Sequence, residues 1–301
     1  MAGRKLPARD AKKPIRNGSR DYILTLSCDD TLGIVHAVAA FLHDSGCNIV
    51  DSAQFGDPDT GRFFMRVHFT AITRGATLPS LQKAFAAVAQ RFGMEWRFHD
   101  VREKPRILIL VSKFDHCLHD LLYRYRIGEL DCEITSVVSN HRETYRLAAS
   151  YDVPFHHLPV NEGSKGAQED RLLGIIRDED VELVVLARYM QILSENLCRA
   201  LEGRAVNIHH SFLPSFKGAM PYHQAHARGV KLIGATAHFI TPALDEGPII
   251  EQDTTRVDHK YTPAEMVAAG RDVERLVLAR AVKLFLDRRV LLNGHKTVVF
   301  R

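Results

Sequence analysis

The chain lacks the cysteine pairs that mark disulfide-stapled or zinc-binding domains. Its five cysteines are scattered, their number is odd, and no C-x-x-C occurs. Neither a disulfide framework nor a zinc knuckle is indicated, and a reducing cytoplasm is the expected location. The chain also lacks an apolar run long enough to span a bilayer and the apolar core of a signal peptide, so we predict no membrane association.

Glycine is missing from a turn where nucleotide-binding folds need it. The apolar run at 106–112 leads into 112–116, which reads Ser-Lys-Phe-Asp-His. In nucleotide-binding α/β units, glycines at this turn let backbone N–H groups cradle a phosphate. Their absence argues against a phosphorylated ligand at this position.

A metalloprotease-type metal motif is also absent. The chain has 16 histidines, and the pairs to consider are His156–His157, His209–His210 and His223-x-x-His226. None belongs to an H-E-x-x-H pattern, and adjacent histidines on a strand point to opposite faces of the sheet. We therefore predict no metal.

Excess positive charge is confined to the beginning of the chain. The net charge is +4, but residues 1–20 hold seven Lys or Arg and one Asp, which leaves the remainder at −2. The body thus offers no overall basic surface, and no nucleic-acid partner is predicted. With its prolines and no apolar face, segment 1–20 is interpreted as a basic flexible leader. Its charge would also suit an organelle transit peptide, although it lacks the amphipathic pattern.

Residues 21–100 have the pattern of a small mixed α/β domain. Apolar and β-branched runs predict strands near 22–27, 48–55, 63–69 and 95–98. Apolar positions at helical spacing predict helices at 34–45 and 78–92. The order β-α-β-β-α-β is the ferredoxin-like arrangement.

A charged link at 101–105 leads into a second domain, 106–301, in which strands and helices alternate. The run at 106–112 is continuously apolar, as in a strand buried on both faces, and further strands are predicted at 133–139, 155–158 and 183–187. Alternation with helices predicts a doubly wound, mostly parallel sheet. Thr262-Pro263-Ala264-Glu265 is a capping box that opens a long terminal helix, followed by an Asn-Gly hairpin.

The stretch 205–248 concentrates the polar groups that carry chemistry. A short apolar strand ends in Asn-Ile-His-His-Ser-Phe-Leu-Pro at 207–214, and alternation places Asn207 and His209 on the same side. Ligands bind at the carboxyl ends of strands in open α/β sheets. An imidazole there needs a carboxylate to fix its tautomer, and Asp245 in Leu-Asp-Glu-Gly-Pro is the best candidate.

This pair of motifs resembles the active-site pattern of the folate-dependent formyltransferase family, and over the whole chain the hydrolytic branch of that family. The resemblance implies a formyltransferase-like fold for 106–301. It also implies hydrolysis of 10-formyltetrahydrofolate to formate and tetrahydrofolate, with water as acceptor and no cofactor. Asn207, His209 and Asp245 then form the catalytic set: an oxyanion donor, a proton-transfer group, and a carboxylate that holds His209 or positions the water. Which group removes the water proton stays open.

The same resemblance implies a pterin slot. Residues Met190, Gln191, Ile192 and Leu193 match the segment after the fourth strand, with ordinary core packing as the alternative for Ile192 and Leu193. Ile240, Thr241 and Leu244 match the loop whose backbone meets the pterin edge. Arg188 and Lys217 are candidates for contacts with the substrate or a neighbouring chain, and His238 for a supporting structural role.

Residues 21–100 resemble an ACT domain, a small amino-acid-sensing or pairing module. The ligand turn of that family matches 28–34, so the candidate regulatory residues are Asp30, Leu32, Gly33 and Ile34; the proline common before the glycine is Leu32 here. Amino-acid regulation and assembly alone both remain open. The resemblance implies a homo-oligomer, a dimer or a tetramer.

Two rival functions are weighed against hydrolysis. A formyltransferase shares the catalytic set, but in glycinamide ribonucleotide formyltransferases the turn at 112–116 contains glycine and holds the acceptor's phosphate. A methionyl-tRNA formyltransferase would carry a further RNA-binding domain. A non-catalytic amino-acid-responsive regulator would have no need to keep Asn207, His209 and Asp245 together.

Overall fold

The computed structural model describes residues 20–161, 163–214 and 221–301. The chain divides into two compact units, Met1–Arg102 and Glu103–Arg301. The predicted leader lies outside the described residues except for Arg20, which begins the first strand, and Lys217 also lies outside them. Among the described residues, no helix combines the length and the apolar character needed to cross a membrane.

The first unit is a four-stranded antiparallel sheet with two helices. Its elements are β1 (Arg20–Asp29), α1 (Ile34–Asp44), β2 (Cys47–Asp57), β3 (Arg62–Ala71), α2 (Leu78–Phe92) and β4 (Glu95–Asp100), and the strand order is β2-β3-β1-β4. Alternate residues of β1, among them Tyr22, Leu24 and Leu26, are buried in one core with the helices. The ferredoxin-like arrangement predicted from the sequence is confirmed.

Strand β2 is the exposed edge of this sheet. Almost all of its residues are solvent-accessible, and Ile49, Val50 and Phe55 present apolar side chains there. The register against β3 shifts between Ile49 and Asp51, which marks a bulge. An edge of this length and apolarity is a surface that can pair with another chain.

The second unit contains a seven-stranded sheet, its helices and a terminal hairpin. Its elements are β5 (Arg106–Val111), α3 (His116–Arg126), β6 (Glu133–Ser139), α4 (Tyr145–Ala149), β7 (Phe155–His157), α5 (Lys165–Asp178), β8 (Leu183–Leu186), α6 (Glu195–Ala200), β9 (Ala205–His209), α7 (Pro221–Ala227), β10 (Leu232–Phe239), β11 (Ile249–Arg256), α8 (Pro263–Leu286), β12 (Val290–Asn293) and β13 (Lys296–Val299). The sheet order is β11-β10-β9-β8-β5-β6-β7.

The sheet is mostly parallel and is covered on both faces, which confirms the predicted doubly wound fold. Strands β5 to β9 pair in parallel, and β10 and β11 are antiparallel. Ile107 and Ile109 of β5 belong to a core that includes α3 and α8, whereas Leu108 and Leu110 belong to a second core that includes α5 and α6. This explains why β5 reads as a continuous apolar run.

The chain order reverses direction in the sheet between β5 and β8, because β6 and β7 lie on one side and β8 to β11 on the other. Ligands of open α/β sheets bind at such a switch point, beyond the carboxyl ends of the strands. The short helices α6 and α7 were not predicted, since six or seven residues are too few for an apolar period to be recognised.

Candidate functional site

A pocket of about 600 Å³ opens where β5, β8 and β9 end. Its walls come from the segment after β8, the end of β9, the loop between β10 and β11, and helices α7 and α8. The lining residues that carry the argument below are Phe114, Arg188, Met190, Gln191, Ile192, Leu193, Asn207, His209, His210, Tyr222, His238, Ile240, Thr241, Leu244, Asp245, Arg271 and Glu274.

Asn207 is held by a cross-strand histidine. It lies on β9 directly opposite His238 of β10, and its Nδ2 is 3.3 Å from His238 Nε2. His238 Nδ1 is 2.8 Å from the Phe239 carbonyl oxygen, so Nδ1 carries the proton and donates there. Nε2 is then an acceptor, and it receives one hydrogen of the Asn207 amide. Burial lowers the pKa of His238, which favours this neutral form.

His209 pairs with Asp245. Its Nδ1 lies 3.2 Å from Asp245 Oδ1, and the imidazole is 4% exposed. Its Nε2 is buried and has no hydrogen-bond partner among the described residues. Burial alone would raise the pKa of Asp245, but the hydrogen bond and charge of His209 outweigh it and hold that pKa below its ordinary value. Asp245 is thus a carboxylate at neutral pH.

A glycine allows the Asp245 loop to approach β10. A Cβ on Gly247 would lie 1.7 Å from the Phe239 carbonyl oxygen and 3.2 Å from His238 Nδ1. The Phe239 N–H donates to the Pro248 carbonyl at 2.9 Å, which fixes the loop on the end of the strand. Asp245 itself has φ 57°, a left-handed conformation that Asp tolerates better than most residues.

Comparison with known proteins decides the family. The formyl transferase model matches residues 105–282. The chain is 48% identical over 280 residues to a protein of Corynebacterium sp. (strain P-1) named formyltetrahydrofolate deformylase, covering 93% of this chain and 98% of that one. This chain belongs to the formyltetrahydrofolate deformylase family.

The fold of this chain is also similar to solved structures of other proteins. The crystal structure of formyltetrahydrofolate deformylase from Burkholderia mallei superposes with a TM-score of 0.90 at 51% identity, covering 94% of this chain and all of that chain. A glycinamide ribonucleotide transformylase from Symbiobacterium toebii gives a TM-score of 0.64 at 28% identity, over 67% of this chain and 97% of its own. The match to the deformylases therefore extends over 93–94% of this chain, whereas the match to the transformylase covers 67% of it.

The residues predicted for the pterin slot all line this pocket. Ile192 is 65% exposed, so the core-packing alternative does not account for it, whereas Leu193 packs against the second core. Met190 and Leu244 are also exposed apolar side chains on the pocket wall. The slot thus presents unpaired apolar surface, which is what a flat aromatic ligand requires.

The segment that forms one wall of the slot is anchored at both ends. Ser112 Oγ accepts a hydrogen bond from the Met190 N–H at 2.9 Å and donates to Asn140 Oδ1 at 2.7 Å. At the other end, the Ser194 N–H donates to Glu169 Oε1 at 2.9 Å. The serine in the glycine-free turn therefore positions the pocket wall.

A buried charged cluster, which we call the Glu274 cluster, lies on another side of the pocket and was not predicted from the sequence. Glu274 of α8 is 1% exposed and accepts from Tyr222 Oη at 2.6 Å and from His116 Nε2 at 2.8 Å. Arg188 Nε lies 3.4 Å from Glu274 Oε2. Burial would raise the pKa of Glu274, but His116, Arg188 and Tyr222 together lower it.

The sequence contained one indication of this cluster. Glu274 falls on the buried face of α8, beside Val273 and Val277, where an acidic residue needs a partner. On the same helix, a Cβ at Gly270 would lie 2.1 Å from the Tyr222 ring, so this glycine makes room for the tyrosine.

His116, Cys117 and Glu274 bring three metal-ligand atoms within 4.8 Å of one another. The surroundings do not favour a cation there. Glu274 is already bonded to Tyr222 and His116 and lies beside the Arg188 guanidinium, and burial raises the pKa of the Cys117 thiol well above its ordinary value. The absence of a metal stays a prediction.

His210 lies between the His209–Asp245 pair and the Glu274 cluster. Its ring centroid is 5.2 Å from that of His209 and 6.2 Å from that of Tyr222. Burial and the positive charge of Arg188 lower its pKa to about 4. His210 is therefore uncharged at neutral pH.

The predicted regulatory residues lie in the first unit. Gly33 has φ 96° and stands at the start of α1, whose first turn has no side-chain cap. Asp30 and Leu32 are exposed in the same turn, and Ile34 is buried. Open N–H groups at a helix start favour an anionic ligand.

Proposed function

We propose that this chain hydrolyses 10-formyltetrahydrofolate to formate and tetrahydrofolate, with water as the acceptor. The observation that carries the proposal is the arrangement of Asn207, His209 and Asp245 in an apolar pocket. His209 is fixed by Asp245 on one nitrogen, and its other nitrogen, which faces no described partner, is left for the reaction. The relatives named formyltetrahydrofolate deformylase support the same conclusion.

Asn207 is suited to the developing oxyanion. One amide hydrogen is taken by His238 Nε2, which orients the amide and leaves the second hydrogen for the formyl oxygen. A preorganised neutral donor of this kind contributes ~10²–10³ in rate. His238 thereby acts as a positioning residue for Asn207.

His209 is suited to proton transfer. Because Asp245 accepts a hydrogen bond from Nδ1–H, the neutral ring carries its lone pair on Nε2. That nitrogen takes a proton as water adds to the formyl carbon, and it returns the proton to N10 as the C–N bond breaks. The pair would contribute ~10²–10⁴ in rate.

The exposed apolar residues Met190, Ile192 and Leu244 would hold the pterin, with Gln191, Leu193, Ile240 and Thr241 completing the slot. Thr241 Oγ1 donates to the Ala243 carbonyl at 2.8 Å, which shapes the loop whose backbone would meet the pterin edge.

Two features favour water over a phosphorylated amine as acceptor. The turn at 112–116 has no glycine, and its Phe114 side chain lines the pocket beside Arg188 and Arg271. A glycinamide ribonucleotide formyltransferase would need that turn to hold the phosphate of its acceptor. The hypothesis of a non-catalytic regulator is disfavoured, because the His209–Asp245 pair and the oriented Asn207 amide have the geometry of a working site.

The deciding assay supplies purified protein with 10-formyltetrahydrofolate and no acceptor, and follows formate. Acceptor-independent formate release is expected. Turnover that appears only after glycinamide ribonucleotide is added would mean that the chain is a transferase.

We also propose that the chain forms a homo-oligomer through the first unit, by pairing of the exposed β2 edge with a second copy. Ile49, Val50 and Phe55 supply the apolar side chains. Val50→Lys should reduce the mass measured by light scattering, while Lys83→Ala on α2 serves as a control. An unchanged mass in Val50→Lys would place the interface elsewhere.

An amino-acid effector at Asp30, Leu32, Gly33 and Ile34 remains a second proposal for this unit, supported by the uncapped start of α1. Turnover measured with each amino acid in turn tests it, and a response lost in Asp30→Asn is the expected result. No response to any amino acid leaves assembly as the role of this unit. The cytoplasmic location and the absence of a nucleic-acid partner stay predictions from composition.

A further inference from the structure

Arg188 is a buried arginine with two donor atoms that have no hydrogen-bond partner among the described residues. Its side chain lines the pocket and is 8% exposed, yet neither Nε nor Nη1 has a hydrogen-bond partner among the described residues. A buried polar group without a partner is costly, and a guanidinium offers a planar fork of donors that matches a carboxylate. The conformation adds to this cost, because Arg188 has φ 64°, which a residue with a long side chain seldom adopts.

Glu274 offsets the charge of Arg188 without forming a hydrogen bond to its Nε or Nη1. The two lie 3.4 Å apart at Nε and Oε2 but make no hydrogen bond. The acceptor positions of Glu274 are instead occupied by Tyr222 and His116. If Arg188 were only the counter-ion of Glu274, the guanidinium would be expected to hydrogen-bond to the carboxylate.

The surroundings leave room for one more negative charge. Arg271, which is exposed, and Arg188 both lie over the Phe114 ring, with their Cζ atoms 5.3 and 5.6 Å from its centroid. Glu274 balances one of these charges, and no carboxylate among the described residues forms an ion pair with Arg271. A small anion would complete the balance.

We propose that Arg188 forms a subsite for a small carboxylate, and that its ligand is the formate released by the reaction. This inference rests on the proposed function. Formate would be formed beside the Asp245 carboxylate, which repels it, whereas the Arg188 guanidinium, which lines the same pocket, attracts it. The enclosed position favours a ligand of three heavy atoms over the larger carboxylates of a folate tail.

The test is direct binding of ¹³C-formate to the full-length protein by NMR titration, without folate, at constant ionic strength. Wild type should bind formate. Arg188→Met should weaken the binding by on the order of 10- to 100-fold. Arg188→Lys, which keeps the charge but loses the fork, should also weaken it clearly. Arg271→Met is the matched control, because it removes a cation from the same aromatic ring without touching the fork, and a smaller change is expected.

Several results would overturn the inference. One is the absence of formate binding in wild type. Another is equal weakening by Arg188→Met and Arg271→Met, which would indicate general electrostatic attraction. A third is stronger competition by glutarate than by acetate, which would assign the subsite to the substrate's tail. If circular dichroism shows that Arg188→Met does not fold, Arg188→Lys becomes the deciding variant. An unchanged affinity of Arg188→Lys for formate would then show that the planar guanidinium donors do not bind it.

The outcome is separable from that of the proposed function. Wild type that releases formate from 10-formyltetrahydrofolate but does not bind added formate contradicts only the subsite. Wild type that binds formate through Arg188 but releases none contradicts the proposed function and leaves a carboxylate-binding site.

Discussion

Two histidine–carboxylate pairs lie near one another in this protein and differ in what they leave free. His209, which lines the pocket, uses Nδ1 to contact Asp245 and keeps a buried Nε2 without a described partner. His116 uses Nε2 itself to contact Glu274, which also accepts from Tyr222. We call His209–Asp245 the open pair, because the second nitrogen of its histidine has no described partner. We call His116–Glu274 the closed pair, because its carboxylate already accepts a hydrogen bond from Tyr222.

The two pairs also differ in how deeply their carboxylates are buried. The Glu274 side chain is 1% exposed and that of Asp245 is 11% exposed. A carboxylate as enclosed as Glu274 must be fully compensated by neighbours, and three surround it. A partly accessible carboxylate such as Asp245 needs only one strong partner and can respond to a substrate. The residue types alone therefore do not assign the role of a pair; the burial of the carboxylate and the number of its partners do.

The largest expected effect is on catalysis by the open pair. Asp245→Asn keeps the size of the side chain but removes the charge that fixes His209, so kcat should fall by ~10²–10⁴ with little change in folate affinity or melting temperature. His209→Ala should cost about as much, and the double mutant far less than the product of the two, because they act as one unit. Formate release kinetics and thermal melts measure these effects.

Glu246→Gln is the matched control for this prediction, since it removes a neighbouring carboxylate in the same loop. It should turn over near the wild-type rate. Near wild-type turnover in Asp245→Asn would remove Asp245 from the mechanism and direct attention to His210 and His238.

The second expected effect is on the free energy of unfolding and concerns Glu274, the carboxylate of the closed pair. Glu274→Gln leaves Arg188 buried without its counter-ion, and breaking a buried ion pair in this way costs roughly 3–5 kcal/mol. Turnover should fall much less than in Asp245→Asn. Urea unfolding measures the loss, and Tyr222→Phe, which removes one hydrogen bond but no charge, should lose less. Equal stability of wild type and Glu274→Gln would show that the Glu274 cluster does not support the fold.

The smallest expected effect is a pH dependence from His210, which lies between the two pairs. Its pKa is about 4 in the folded protein and near 6.5 in the unfolded chain, so the unfolded chain binds a proton first as the pH falls. Stability is therefore complete above about pH 6.5 and is lost progressively down to about pH 4. From about pH 7 to about pH 5 the loss from this group is about 2 kcal/mol.

His210→Gln cannot titrate, so its free energy of unfolding should fall less over that range than that of wild type. Urea unfolding at both pH values gives the comparison. Parallel losses in wild type and His210→Gln would mean that His210 is already protonated, or free to protonate, in the folded protein.

Local sequence determined most of the elements, although not α6 and α7, and pointed to the His209–Asp245 pair. The period of two along a strand placed Asn207 and His209 together, the capping box at Thr262 began α8, and the continuous apolar run identified β5 as buried on both faces. The need of the His209 imidazole for a carboxylate, together with the Leu-Asp-Glu-Gly-Pro segment, pointed to Asp245. The close approach of Gly247 to Phe239 became visible only in the structure.

Only the tertiary structure decided which residues form the Glu274 cluster and how the Asn207 amide is oriented. Arg188, His116, Tyr222 and Glu274 come from segments far apart in the chain, and no short period links them. The partnership of Asn207 with His238 depends on β10 pairing antiparallel beside β9, which the strand pattern did not specify. Periodicity reports which side of its own element a residue faces. Which remote charge it meets there depends on sheet order and on how closely helices such as α8 pack, and these are properties of the whole folded chain.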